Sequence, residues 1–149
     1  DGSWIWLTKV SYAISQDNGF VSAYGNHVVA AGDACADRDS GSLIVFGLAT
    51  ADGEVLWKFA PDNPVWNFGA SFPGDSSVVF QDLCGKAYRL ALEDGVLLWK
   101  NGGHEPSWTD GTLTLGSNKI VYAVGVSTLM GLQTTPGTLT AYRLEDGGQ

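Results

Sequence analysis

Short runs of apolar residues alternate with glycine-containing turns along most of the chain. Residues 66–100 show the pattern most clearly, and their apolar runs are Trp66–Phe72, Ser77–Gln81, Lys86–Leu92 and Val96–Lys100. These runs are rich in β-branched and aromatic residues, which favour strands. Asp94-Gly95 separates the last two runs, and this dipeptide suits a tight hairpin because such turns need a positive φ. The pattern predicts four short strands, and no segment keeps the apolar spacing of a helix.

The same arrangement occurs more than once. The sequence Asp-Gly-x-x-x-Trp occupies residues 1–6, 52–57 and 94–99, and Asp146-Gly147 begins it again. An offset of 42 residues relates Trp66 to Trp108 and Val78 to Ile120, while residues 87–90 (Ala-Tyr-Arg-Leu) recur at 141–144. So many matching positions indicate a true internal repeat.

The period of the repeat points to a fold class. Four strands in each unit of about 40–50 residues are typical of β-propeller blades. We therefore predict an all-β protein of about three four-stranded antiparallel blades in one partial domain over residues 1–149, with units at approximately 7–57, 58–99 and 100–149. Closed propellers have about 4–8 blades. The chain is therefore expected to be a segment of a larger propeller, or to be completed by other copies or a partner.

The second unit carries a family resemblance. Its pattern G-x-A-Y-x-L-x-x-x-D-G-x-x-x-W, residues 85–99, resembles the blade repeat of quinoprotein-like (pyrroloquinoline-quinone-type) β-propellers. Gly53 and Trp57, with Gly95 and Trp99, match the glycine and tryptophan of the family's tryptophan-docking motif. Other motif positions depart from the family, since an Asp replaces its Thr and an Ala replaces its Asp.

The resemblance implies several further properties. It implies a propeller of seven or eight blades and an extracytoplasmic or organelle-lumenal location. It also implies that Trp6, Trp57 and Trp99 are structural, each packing near the rim on the backbone of the next blade. Enzymes of this family hold pyrroloquinoline quinone with calcium, beside a tryptophan platform.

Candidate binding residues lie on the innermost predicted strands. Trp66 and Trp108 are expected to face the central channel and form a candidate binding face, with Asn67, Thr109 and Asp110 nearby. No calcium-binding trio, catalytic aspartate or vicinal cysteine pair of the family can be matched. We therefore assign no catalytic, cofactor-binding or metal-binding residue from the sequence.

Composition limits the partners. The 149 residues are 44% hydrophobic and 16% charged, as expected of one folded domain. The formal net charge of −8 argues against binding to nucleic acid backbones. The longest apolar stretch, Ile120–Val126, is far shorter than the ~20 residues of a spanning helix. The expected partners are proteins or the remaining blades of the same propeller.

Two functions from different classes follow. The favoured hypothesis is a non-catalytic propeller that serves as a protein-binding or assembly scaffold. The alternative is a segment of an extracytoplasmic quinone-dependent dehydrogenase whose active-site residues lie elsewhere. Cys35 and Cys84 follow the second strands of neighbouring blades, and we expect free thiols because the blade spacing is expected to exceed the ~7 Å that a disulfide tolerates. The alternative is a disulfide, which requires the insertion Asp33–Ser42 to reach across to the neighbouring blade.

Overall fold

The computed structural model describes residues 1–10, 21–34, 42–103, 107–109, 113–127 and 138–149. All regular secondary structure in these residues is β-strand. The strands are β1 (Ser22–Tyr24), β2 (His27–Ala34), β3 (Ser42–Ala49), β4 (Val55–Phe59), β5 (Ser77–Gln81), β6 (Lys86–Ala91), β7 (Leu97–Gly102), β8 (Ser107–Trp108), β9 (Thr114–Leu115), β10 (Ile120–Ser127) and β11 (Thr138–Arg143).

The described strands form three antiparallel sheets, which are the blades. The first blade has the order β1-β2-β3-β4 and the second has β5-β6-β7. In the third blade β10 lies between β11 and the short strands β8 and β9. Apart from β8, which pairs with β10, the paired strands follow one another along the chain, as is usual for consecutive strands. The all-β propeller-blade prediction is confirmed.

The innermost strand of the second blade is less regular than predicted. The sequence indicated a strand over 66–72, but the structure keeps one ladder contact there, between Ser71 and Val79. Asn67 has a φ of 43°, which turns the backbone out of the extended region. Pro64 and Pro73 flank the segment and have no N–H to donate to a ladder. Residues 66–72 therefore form an irregular segment and not the continuous strand that was predicted.

Two hydrophobic cores lie between the blades. Val29 and Val45 of the first blade pack with Val78, Phe80 and the rest of the first core, while Val79, Val121 and Tyr142 belong to the second core. Successive residues of a strand point to opposite faces. Because β5 sends Val78 and Phe80 to one core and Val79 to the other, the second blade is buried on both faces.

The hairpin turns define which residues of the units are equivalent. The N–H groups of Gly53, Gly95 and Gly147 donate to the carbonyl oxygens of Ala49, Ala91 and Arg143, at 3.0, 3.0 and 2.9 Å. Arg143 is therefore equivalent to Ala91. In this structural alignment the matching sequences at 87–90 and 141–144 are out of register by two residues. Strand pairing likewise makes Val78 equivalent to Val121, so the sequence alignment with Ile120 is wrong by one residue.

Candidate functional site

Trp57 connects the first blade to the second. It lies on β4, the outermost strand of the first blade, and is 6% exposed. Its indole N–H donates to the carbonyl oxygen of Leu92 at 2.8 Å. Its ring covers the turn of the second blade so closely that a Cβ at Gly95 would lie 2.7 Å from a ring carbon. One side chain therefore supplies both a buried apolar surface and a directed hydrogen bond between two blades.

Trp99 and Trp6 make the same pair of contacts at equivalent places. The Trp99 N–H donates to Leu144 O at 2.7 Å, and its ring covers Gly147. The Trp6 N–H donates to Thr50 O at 2.9 Å, and its ring covers Gly53. Each tryptophan therefore contacts the glycine of the following unit.

The Asp-Gly dipeptides create the surface that receives each ring. Gly53, Gly95 and Gly147 have φ values of 74°, 72° and 71°, which L-residues with side chains rarely adopt. The preceding aspartates cap the turns, since Asp52 and Asp94 accept the N–H of Glu54 and Val96 at 3.0 and 3.1 Å. The aspartate that replaces the family's threonine is therefore a turn residue.

The candidate binding face is described only in part. Trp66 is partly buried, and the backbone of Trp108 in β8 pairs with Val126. The Trp108 side chain and Asp110 lie outside the described residues. Thr109 is buried, and Gln81 Nε2 donates to its hydroxyl at 3.3 Å. The structure thus brings together Thr109 and Gln81, but it does not test a role for the two tryptophans.

Asp82 organises a buried polar cluster that the sequence reasoning missed. The residue is 1% exposed. One oxygen accepts the backbone N–H groups of Cys84 and Lys86, both at 3.0 Å, and the other accepts Asn63 Nδ2 at 3.1 Å and the Tyr88 hydroxyl at 2.8 Å. Burial and the nearby Asp82 charge raise the pKa of Tyr88 above its usual range. With four donors, the carboxylate is held in place as part of the turn before β6.

The donor set for a calcium–quinone site is not assembled by the part of the chain that the structure describes. Within it, no three His, Cys, Asp or Glu side chains lie close enough to hold a metal ion. Its most buried carboxylate, Asp82, is already engaged by four donors. We therefore derive no chemical step through such a group.

Charged side chains line a cleft between the second and third blades. The cleft has a volume of about 560 Å³, and its lining includes Asp75, Arg89, Lys119, Arg143 and Glu145. Arg89 crosses it, donating to Asp75 at 2.8 Å and to Leu144 O at 2.9 Å. Arg89 therefore links the two blades beside Trp99, which donates to the same carbonyl oxygen.

The described residues bear on two further features, the cysteines and the helices. Cys84 is partly buried and Cys35 lies outside the described residues, so the thiol prediction stays a prediction. The described residues include no helix with the length and apolar character needed to span a bilayer.

Comparison with known proteins supports the fold. No family model and no curated protein sequence matches the chain. Among solved structures, a europium-containing methanol dehydrogenase superposes over 92% of this chain with a TM-score of 0.70 and 15% identity. A quinohemoprotein alcohol dehydrogenase from Pseudomonas putida HK5 superposes over 98% with a TM-score of 0.68 and 16% identity. BamB from Moraxella catarrhalis superposes over 91% with a TM-score of 0.58 and 17% identity.

These similarities concern part of each relative. This chain spans 24%, 21% and 48% of the lengths of those three proteins. At such low identity they show the fold alone, which is that of β-propeller blades.

Proposed function

We propose that this propeller segment is a protein-binding scaffold that uses its outer rim as a contact surface. The observation that carries the proposal is a repeated apolar position, one residue before each docking tryptophan. Ile5, Leu56 and Leu98 occupy it in successive units and are 88%, 43% and 48% exposed. Exposed apolar side chains that recur at equivalent places form a row along the rim, and such surfaces are typical of protein contacts.

The charged groups of the described blades support a scaffold role. Asp82 is held by four donors, and Arg89 joins two blades. These groups stabilise the fold. Trp66 and Trp108, which the sequence predicts to face the channel, are proposed as a second contact surface. The resemblance supports the further proposal of an extracytoplasmic or organelle-lumenal compartment.

Site-specific photo-crosslinking in the native host tests the proposal. A photoreactive residue at position 56 or 98 should give discrete protein adducts, whereas one at the exposed turn residue Asp94 is the matched control. Leu98→Lys should abolish the adduct formed from position 56 while leaving the thermal unfolding temperature unchanged. Adducts that form equally from position 94, or that persist in Leu98→Lys, would refute the rim as a contact surface.

The alternative is a segment of a quinone-dependent dehydrogenase, and it is favoured by the dehydrogenases among the similar structures. It predicts that pyrroloquinoline quinone, added with calcium, binds to the intact protein. Binding would change the absorbance of the cofactor and raise the unfolding temperature of the protein. It also predicts dye-linked oxidation of an alcohol by the intact protein. Either activity would overturn the purely non-catalytic function.

A further inference from the structure

A permanent cation crosses the interface between the second and third blades (the second interface). Arg89 of the second blade donates through Nη1 to the carbonyl oxygens of Leu144 and Glu145, at 2.9 and 3.4 Å. Its side chain is 14% exposed, so the charge is largely enclosed between the blades. Arginine keeps its charge throughout the physiological pH range. This link between the blades therefore does not respond to pH.

The interface between the first and second blades (the first interface) has no room for an arginine at the equivalent place. Gly47 lies opposite Trp57, as Arg89 lies opposite Trp99. A Cβ at Gly47 would collide with the Trp57 ring. The first blade therefore cannot supply from this position the side chain that links the second blade to the third.

A histidine supplies the polar contact of the first interface. His27 begins β2 and lies opposite Ala49. Ser77 is its equivalent in the second blade, because Ser77 begins β5 and lies opposite Ala91. The Nε2 of His27 lies 3.7 Å from Oε2 of Glu93 in the second blade, and the His27 side chain is 13% exposed. An imidazole thus lies between the two blades with a carboxylate of the next blade beside it.

We propose that the first interface is pH-dependent, because the imidazolium of His27 pairs with Glu93 and stabilises the contact between the two blades at mildly acidic pH. Histidine ordinarily gains its charge as the pH falls through about 6.5, whereas glutamate titrates near about 4.3. The stabilisation is therefore present below the titration range of histidine and is lost as the pH rises through it. This inference goes beyond the scaffold function and does not depend on it, since it involves no external partner.

The other groups around His27 keep their charge across this range. Strand β1 places Tyr24 opposite His27, and a tyrosine phenol is neutral until about pH 10. Strand β3 places an alanine on the other side. Aspartate and glutamate are ordinarily ionised above about pH 5. Besides Glu93, the charged groups of the adjoining turns, at residues 50–54, 73–76 and 92–96, are the exposed carboxylates of Asp52, Glu54, Asp75 and Asp94.

The expected effect is modest. The Glu93 side chain is 88% exposed, so solvent screens its attraction for the imidazolium. Burial of the His27 ring also opposes its charging, whichever residue occupies position 93. A comparison of variants at position 93 therefore isolates the attraction between the two groups. This attraction should raise the ratio of folded to unfolded protein by about two- to threefold when the histidine is charged.

Urea unfolding of the unmodified chain and of Glu93→Gln, at about pH 5.5 and about pH 8, tests the proposal. The folded-to-unfolded ratio of Glu93→Gln, relative to that of the unmodified chain, should be about two- to threefold lower at the acidic pH than at the alkaline one. Glu145→Gln is the matched control. Glu145 precedes the equivalent Asp-Gly turn of the third blade, where Ser77 takes the place of the histidine, so its relative ratio should be the same at both pH values.

Either of two results would overturn the proposal. One is a loss in Glu93→Gln that is the same at both pH values. The other is a pH-dependent loss of similar size in Glu145→Gln, since that change would come from a group common to both variants and not from His27.

Charge reversal and removal of the imidazole sharpen the test. Glu93→Lys places an ammonium beside the histidine, so acidification should destabilise it relative to Glu93→Gln. In a His27→Gln background, Glu93→Gln should have the same effect on the folded-to-unfolded ratio at both pH values. A pH-dependent effect that persists without the imidazole would assign the titration to another group and refute the pairing. If His27→Gln does not fold, the opposite signs expected of Glu93→Lys and the unmodified chain still decide the outcome.

Discussion

The interface between the first and second blades and the interface between the second and third use the same tryptophan contact but differ in the rest of their packing. At the first, Phe80 stacks on Tyr88 with ring centroids 5.1 Å apart, and Phe59 contacts both rings edge-on. At the second, small side chains such as Ala87, Val121 and Ala123 pack beside Trp99 and Tyr142, whose ring centroids lie 6.4 Å apart. Arg89 adds a polar link across the second interface.

The difference shows which part of the interface the repeat determines. The Asp-Gly turn and the tryptophan recur with the same hydrogen bond, at 2.8 Å for Trp57 and 2.7 Å for Trp99. The remaining contacts depend on which side chains each strand sends to each face. In β5, Phe80 faces the first core and Val79 faces the second. One strand can therefore send an aromatic ring to one core and an aliphatic side chain to the other.

Truncation of the two cores should give the largest contrast. Phe80 is fully buried among three aromatic rings, so Phe80→Ala should lower the free energy of unfolding by about 3–5 kcal/mol. Val121→Ala removes a smaller buried side chain and should cost about 2 kcal/mol. Urea unfolding followed by tryptophan fluorescence measures both. Equal losses of unfolding free energy would show that Phe80 and its aromatic contacts add no more stability than Val121 does in the second core.

Removal of the docking tryptophans should instead lower the free energy of unfolding by equal amounts at the two interfaces. Trp57→Ala and Trp99→Ala should each cost about 3 kcal/mol, because both rings are nearly buried and both lose one hydrogen bond. Trp6→Ala should cost less, since Trp6 is only partly buried. The same urea titration tests the order. A loss below about 0.5 kcal/mol for Trp57 or Trp99 would contradict their structural role.

The glycine beneath the ring should be more sensitive than a glycine in an open turn. Gly95→Ala introduces a Cβ 2.7 Å from the Trp57 ring at a φ of 72°, and it should cost about 2–3 kcal/mol. Gly25→Ala is the control, because its φ is 57° and nothing lies within 4 Å of the added Cβ. It should cost about 1 kcal/mol. Similar losses at both positions would mean that backbone strain alone, without the ring contact, sets the cost.

The docking elements could be predicted because their signal is local and repeated. Asp-Gly-x-x-x-Trp identifies the turn and the ring, and the resemblance identifies the next blade as the partner. The Asp82 cluster could not be predicted in this way. Its donors come from Asn63, Cys84, Lys86 and Tyr88, and only the fold brings the first and last of these to one carboxylate.

The misaligned match at 141–144 has a different cause. The stretch from that sequence to the Asp-Gly turn is two residues shorter than in the second unit, so sequence identity and hairpin geometry disagree. Because strand side chains repeat every two residues, the shift leaves each residue on the expected face. Tyr142 is therefore buried, like Tyr88, although it is equivalent to Leu90 and not to Tyr88.

Arg89 should matter at the second interface alone. Arg89→Met retains the apolar stem but loses the hydrogen bonds to Leu144 O, Asp75 and Ser77, and it should cost about 1 kcal/mol. Arg89→Lys should recover little of this, because an ammonium lacks the planar fork that reaches several acceptors. In double-mutant cycles, coupling of Arg89→Met to Trp99→Ala but not to Trp57→Ala would support this assignment. Equal coupling to both tryptophans would refute it.

The smallest expected effect is an acid-dependent one on the first-interface side, at Asp62. Its backbone N–H donates to the Tyr88 hydroxyl at 2.9 Å, and its carboxylate accepts Lys86 and Lys100, each at 2.7 Å. These lysines, Lys100 first, hold the pKa of Asp62 below its ordinary value of 3.8. A carboxyl with a lowered pKa in the folded state stabilises the protein above pH 3.8, and the contribution is lost as the pH falls through the folded-state pKa.

Asp62→Asn should therefore be slightly less stable than the unmodified chain at neutral pH, and this difference in stability should disappear on acidification. The effect should be small because the carboxylate is 37% exposed and screened by solvent. Urea titrations from neutral pH to below pH 3.8 measure this difference in stability, with Glu54→Gln as a control at an exposed position. A difference that stays constant with pH would show that the neutral-pH loss comes from something other than the charge on Asp62.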